Sequence, residues 1–315
     1  MIHIAVDAMG GDHAPSAIVD GAVAAASQLD IQISLVGIPA AIEQALDRRG
    51  QPRQAALTII DAPDVIGMTD VPSSVRRRPR ASIRVAAELV ARGEAQALFS
   101  AGHTGATLVS AHAAFGMITG VDRPALAATI PTRGKPAVLL DAGANVECRP
   151  QHLLQFAIMG GVYAKVALGA ERPRIGLLSI GEEETKGNEL TREAHRLLKA
   201  AAINFIGNVE GREIYSGVAD VIVCDGFTGN VVLKTSEGLV EMLTERAVLT
   251  LPHSVDYADY GGAPLLGVAG LAIVGHGRSS AKAVTNAIAM AHRFVSDHFI
   301  ERVEREIAAA HVTHH

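Results

Sequence analysis

An α/β fold built around a mostly parallel sheet is what this sequence predicts, and three observations carry the prediction. Short β-branched runs alternate with longer Ala- and Leu-rich stretches of helical period, the pattern of βαβ units. Aromatic residues make up only 3% of the chain and Trp is absent, so the core is built from Ala, Val, Leu and Ile, which fill parallel sheets and their covering helices. At 315 residues, 49% hydrophobic and 19% charged, the chain is long enough to bury a large core and too apolar for disorder.

Taken in order, Ile2, Ile4 and Val6 open a strand over 2–7, and the Ala-rich stretch 14–29 comes next as a helix. Ile31, Ile33 and Val36 mark a strand over 31–36 before a helix at 40–49, and a third strand spans 57–60. The helix 81–92, the strand 97–99 and the helix 103–119 continue the pattern. Strands at 126–130 and 138–141 precede a helix at 151–168. The strand 175–180 feeds the helix 189–201, and strands at 203–206 and 221–225 lead to the helix 228–249. A strand at 271–274 and a helix over 279–308 complete the chain. No linker and no internal repeat interrupts it, so residues 1–312 are expected to form a single catalytic domain. His314 and His315 match the remnant of an expression tag, and 313–315 are left out of site reasoning.

The functional signal lies in the loops at the strand ends. Six strands run into loops dense in Gly, Asp, Asn, His or Thr: 7–13, 100–105, 141–145, 181–188, 225–230 and 275–277. In open α/β sheets the carboxyl ends of parallel strands share a rim where ligands bind, so one convergent site is expected. Glycines let backbone N–H groups approach a ligand, and helices starting just after the loops add positive dipole ends; such a rim holds an anion. Lys186, among Glu182, Glu183, Glu184, Gly187 and Asn188, either supplies the point charge of a phosphate cradle or pairs with its acidic neighbours. Asn230 and Thr228, with Asp225 and Gly229, either cap a helix or donate to a substrate oxygen, and His103, Thr104 and Gly105 face the same choice. Asn145 either binds substrate or shapes a turn. Asp7, Gly10, Gly11, Asp12, His13 and His276 complete the candidate binding set. Arg76, Arg77, Arg78, Arg80 and Arg84 form the only dense basic run; they either receive an acidic carrier or line a solvated helix start.

Several classes are excluded. A net charge of −5 argues against a nucleic-acid partner. Cys148 and Cys224 form no CxxC pair, so neither a disulfide framework nor structural zinc is indicated, and the Asp7, Asp12 and His13 spacing fits no metal pattern. No cofactor is expected: 275–280 lacks the third Gly of a dinucleotide fingerprint, and no GxxxxGK[ST], GxSxG or HExxH motif occurs. The chain start lacks signal-peptide character, which fits a cytoplasmic protein, and the apolar run 263–274 is too short to span a bilayer.

With these residues assembled, the chain resembles the bacterial phosphate acyltransferase (PlsX) family, the acyl-acyl-carrier-protein:phosphate acyltransferases of phospholipid synthesis. The likeness rests on the segments 4–15, 100–106, 139–145, 176–190, 224–230 and 260–267. It implies a three-layer α/β/α, Rossmann-like fold similar to phosphotransacetylases and the isocitrate dehydrogenase-like group. It also implies acyl carrier protein and inorganic phosphate as partners, a homodimer, and peripheral association with the inner face of the cytoplasmic membrane. His103 stands where the family more often has Asn, and the helical excursion over 235–258 is shorter than the family's usual one. The expected reaction forms an acyl phosphate by positioning and charge stabilisation, with Lys186 on phosphate and Asn230, His103 or Thr104 on the acyl carbonyl. The acyl chain is expected along the small residues of 105–116, where close helix packing is the competing reading. Rival readings are short-acyl transfer from coenzyme A to phosphate, a dehydrogenase on a related fold, and a non-catalytic scaffold for acyl carrier protein.

Overall fold

The structure, a computed structural model, describes residues 1–49, 55–245 and 257–312. In chain order it runs through β1 (Ile2–Asp7), α1 (Ser16–Gln28), β2 (Ile31–Gly37), α2 (Pro39–Asp47), β3 (Leu57–Asp61), a 3-10 turn at Pro72–Arg77, α3 (Ser82–Ala91), β4 (Ala97–Ser100) and α4 (Thr104–Phe115). It continues with β5 (Ala125–Leu126), β6 (Ala128–Ile130), β7 (Ala137–Leu140), α5 (Pro150–Ala167), β8 (Ile175–Ser179), α6 (Glu189–Ala200), β9 (Phe205–Glu210), β10 (Val221–Val223) and α7 (Gly226–Glu245). The last elements are α8 (Tyr257–Tyr260), β11 (Ala263–Leu266), β12 (Leu271–Val274), α9 (Ala281–Ser296) and α10 (Phe299–Val312). These elements fall into two compact units, Met1–Gly116 with Tyr257–Ile300, and Met117–Asp256 with Glu301–His315.

In the first unit six strands stand in the order β3-β2-β1-β4-β12-β11, all parallel except β11, which runs antiparallel to β12. Ile4, Ala5, Val6, Leu98 and Phe99 are fully buried, because helices cover both faces of a parallel sheet and leave no side for polar residues. Helices α1 and α9 pack together, as do α3 and α4.

In the second unit the order is β6-β7-β10-β8-β9, parallel except for β6 against β7. Helix α5 is buried almost all round, from His152 to Ala164, as expected of a helix apolar on every side. A core of Ile130, Leu139, Leu178, Val209, Ile222 and Cys224 receives Val232 from α7. The outward positions Phe227, Val231, Leu239 and Met242 of α7 remain exposed. Among the described residues no helix is long and apolar enough to cross a membrane.

The α/β class with mostly parallel strands holds, but the single rim does not: the six loops are divided three and three between two sheets. The stretch 279–308 is two helices, because His298 adopts a left-handed φ of 51°, which ends one helix and turns the chain before the next. The strand read at 126–130 is split into β5 and β6, and the one read at 203–206 begins at Phe205. Strand β11 escaped the sequence reading because Pro264 and its flanking glycines weaken the strand signal. Of the 235–258 excursion, residues 246–256 lie outside the described residues, as do 313–315.

Candidate functional site

The first unit ends β1, β4 and β12 side by side, and their loops mesh. Asp7, only 3% exposed, accepts from Ser100 Oγ at 2.7 Å and from the Met9 N–H at 3.2 Å, and Ser82 also bonds its carboxyl. Burial pushes its pKa above the ordinary carboxylate value, and the hydrogen bonds pull it back in part. A Cβ on Gly10 would lie 2.7 Å from both Asp7 Oδ2 and the Gly102 nitrogen, so only glycine lets the two loops touch here. The Asp12 N–H donates to the Gly277 carbonyl at 2.8 Å, which ties the third loop to the first, while the side chains of Asp12 and His13 are exposed. The His276 Nδ1 accepts from the Arg278 N–H at 3.1 Å and thereby shapes its own turn.

His103 is the N-cap of α4: its Nδ1 accepts from the Gly105 N–H at 3.1 Å and the Ala106 N–H at 3.4 Å. Capping and substrate contact are therefore not exclusive, because a ring that accepts at Nδ1 carries its proton on Nε2 and keeps a donor to offer. Thr104 opens the helix. Gly105 packs against Pro72, so the turn at Pro72–Arg77 lies against the head of α4. Within the basic run, Arg78 pairs with Asp70, Arg80 with Asp61 and Arg84 with Glu88. Arg76 and Arg77 are exposed on the turn, and among the described residues neither has a carboxylate partner.

The second unit ends β7, β10 and β8 as neighbours, and its loops carry Asn145, the 225–230 segment and Lys186. Asp141, fully buried and absent from the candidate set, organises this rim. One oxygen accepts from the N–H groups of Leu126 (3.0 Å), Gly143 (3.1 Å) and Ala144 (2.9 Å); the other accepts from the Asn145 N–H (2.7 Å) and Asn145 Nδ2 (2.8 Å). Its burial raises its pKa against the pull of those donors. Asn145 also donates to the Pro124 carbonyl at 2.6 Å, so its amide nitrogen is engaged in shaping the loop.

Asp225 receives both the N–H and the hydroxyl of Thr228 at 2.8 Å, which makes Asp225 the cap of α7 and engages the Thr228 hydroxyl. The first turn of α7 presses on the end of β7, for a Cβ on Gly229 would sit 1.9 Å from the Asp141 carbonyl oxygen. Gly229→Ala is expected to lower stability by about 1–3 kcal/mol, as overpacking does. A chemical denaturation midpoint unchanged in that variant would show that the two segments part freely. Asn230 is exposed, and among the described residues its Nδ2 makes only a long 3.5 Å contact to the Ala142 carbonyl, which leaves the carboxamide available to a ligand.

The loop 181–188 bears on the two readings of Lys186. Glu184 pairs with Lys199, and Glu182 faces Arg212 at 3.6 Å. Among the described residues the Lys186 ammonium has no carboxylate within ion-pair distance. Its stem packs on Gly181, its N–H donates to the Glu183 carbonyl at 3.0 Å, and its head is exposed. Asn188 caps α6 by accepting from the Thr191 N–H at 2.9 Å. Neither cysteine offers a thiolate: burial pushes Cys148 up to about 11 and Cys224 well above the ordinary thiol value.

Sequence reasoning put Lys186, Asn230, His103 and Thr104 on one rim; the structure puts Lys186 and Asn230, both exposed, on the second unit's rim and His103 and Thr104 at a helix head in the first. It missed Asp141, although an Asp between an apolar strand and a Gly turn is the same signal that marked Asp7 and Asp225. It also missed Ser82 and Ser100, whose partners come from distant segments.

Comparison with known proteins gives a consistent picture. The fatty acid synthesis protein family model matches residues 2–302. A phosphate acyltransferase of Heliobacterium modesticaldum is 49% identical over 327 residues, covering 97% of this chain and 98% of that protein. One of Syntrophotalea carbinolica is 49% identical over 323 residues, covering 96% of this chain and 93% of that protein. Among solved structures, a phosphotransacetylase from Streptococcus pyogenes shares the fold with a TM-score of 0.67 at 18% identity, covering 93% of this chain and 94% of that one.

Proposed function

Because the chain belongs to the phosphate acyltransferase family, that of the fatty acid synthesis protein model, we propose that it transfers a fatty acyl group from a thioester to inorganic phosphate. The phosphate oxygen forms a bond to the thioester carbonyl carbon, the carbon–sulfur bond breaks, and the thiolate leaves and takes a proton from water. No thiolate nucleophile of the protein is required, in keeping with the two suppressed cysteines.

The observation that carries this reading is the ammonium of Lys186, which among the described residues has no ion-pair partner, on a glycine-bearing loop whose Glu182 and Glu184 pair with Arg212 and Lys199. Lys186 holds the phosphate dianion, and the Asn230 carboxamide donates to the oxyanion that develops on the acyl carbonyl. Phosphate dianion is already a nucleophile, so positioning and charge stabilisation supply most of the acceleration.

In the first unit, His103 Nε2 and the Thr104 hydroxyl recognise the acyl donor. The turn bearing Arg76 and Arg77, packed against the same helix head, receives the acidic carrier protein of the acyl donor. The reading extends to a homodimer, to peripheral membrane contact and to a role in phospholipid synthesis.

The test is thiol release. Incubation with a long-chain acyl-acyl-carrier-protein is expected to free thiol only when inorganic phosphate is present, and acetyl-coenzyme A is expected to react far more slowly. Thiol release that ignores phosphate would overturn acyl transfer to phosphate. A faster reaction with acetyl-coenzyme A would favour the short-acyl alternative.

A further inference from the structure

We infer that His195 is a positioning residue for the phosphate-binding loop, acting through the carboxamide of Asn208; the inference rests on the reading of 181–188 as that loop. His195 lies on α6 and is 4% exposed, beside Ala194 and Leu198 on the helix's buried face. Packing alone would be served there by an apolar ring, since the imidazole meets Phe205 edge to face with centroids 5.0 Å apart. Instead the ring starts a polar relay. His195 Nδ1 stands 3.0 Å from Asn208 Oδ1, and Asn208 Nδ2 donates to the Glu183 carbonyl at 2.9 Å. That same carbonyl accepts the Lys186 N–H at 3.0 Å. One backbone oxygen therefore joins the relay to the turn that presents the ammonium.

Donor and acceptor counts fix the roles within the relay. A carboxamide that donates through nitrogen to Glu183 presents oxygen to the ring, so His195 Nδ1 carries a proton and donates. His195 Nε2 faces Glu184 Oε1 at 3.8 Å, and Glu184 is held by Lys199 from the same helix. Both buried side chains of the relay are thereby aligned on the 183–186 turn. Without the Nδ1 proton, the Asn208 oxygen is left buried and unpaired, the carboxamide is free to rotate, and the Glu183 carbonyl loses one of its two donors.

The experiment compares steady-state kinetics with inorganic phosphate and a long-chain acyl-acyl-carrier-protein for His195→Phe, His195→Asn and the parent enzyme. His195→Phe keeps a ring against Phe205 but has no donor; its KM for phosphate is expected to rise about tenfold, the size of one ordinary net hydrogen bond, while the KM for the acyl donor stays put. His195→Asn, whose amide nitrogen replaces Nδ1 as a donor, is expected to restore most of the phosphate KM. An unchanged phosphate KM in His195→Phe, an equal rise in both KM values, or no rescue by His195→Asn would each overturn the inference. Should His195→Phe fail to fold, Asn208→Ala reads the same link with the same expected rise and the same overturning results. Lys186→Ala, measured alongside, separates the two readings. If it leaves phosphate use intact, the loop is not the phosphate site; if it abolishes phosphate use while His195→Phe does not alter it, the relay alone is refuted.

Discussion

Replacing Lys186 with alanine should reduce kcat/KM for phosphate by about 100- to 1000-fold, the loss of roughly 3–4 kcal/mol seen when one charge-stabilising donor is removed. The fold should be untouched, because the Lys186 head is exposed and, among the described residues, holds no ion partner whose loss would matter to stability. The effect should be concentrated on phosphate, with acyl-donor binding preserved, since the ammonium answers a dianion and not a neutral carbonyl. Lys186→Arg should recover only part of the activity, because a planar fork does not replace a compact charge on a flexible stem. Initial rates over a phosphate series give the answer, and a folded Lys186→Ala enzyme within a few-fold of the parent would remove Lys186 from the reaction.

The second large effect is expected at Asp141 and falls on stability before activity. Its carboxylate satisfies five N–H bonds from four residues, all within the rim of the second unit. Asp141→Ala strands those donors in a buried position and is expected to cost about 3–5 kcal/mol, the range for breaking a buried charged network. Asp141→Asn keeps one oxygen for Leu126, Gly143 and Ala144 but, oriented so, turns an amide nitrogen toward the Asn145 N–H and Nδ2, donor against donor; its cost should be intermediate. Denaturant midpoints at neutral pH provide the comparison. A loss under about 1 kcal/mol in Asp141→Ala would show that water replaces the carboxylate and that the loop is not built around it.

Much of the architecture was legible because its causes are local. Periodicity and β-branched runs located most strands and helices, and loops rich in Gly, Asp, Asn and Thr marked the rim segments. Where the reading failed, the deciding term was local but small, or it was not local at all. His298 breaks a long helical pattern through a single left-handed residue. β11 is a strand despite its proline, because its antiparallel pairing with β12 comes from a tertiary contact that the local residues do not announce. Asn145, Thr228 and Asn188 were candidates for substrate contact, and the structure shows a turn or cap hydrogen bond at the side chain of each. Asn230 and Lys186, of the same polar character, are left facing outward.

By itself the sequence determined the α/β class, the identity of the loops at the strand ends, and the family. These depend on side-chain chemistry and on spacings of a few residues, which the order of amino acids states directly. Tertiary structure alone decided that the loops divide between two sheets, that Asp141 rather than Asn145 anchors its rim, and that His195 reaches the Lys186 turn through Asn208. The reason is that strand order and hydrogen-bond partners between distant segments are set by which elements bury together. Two residues with the same propensity and the same charge receive different duties according to the neighbours that packing brings to them.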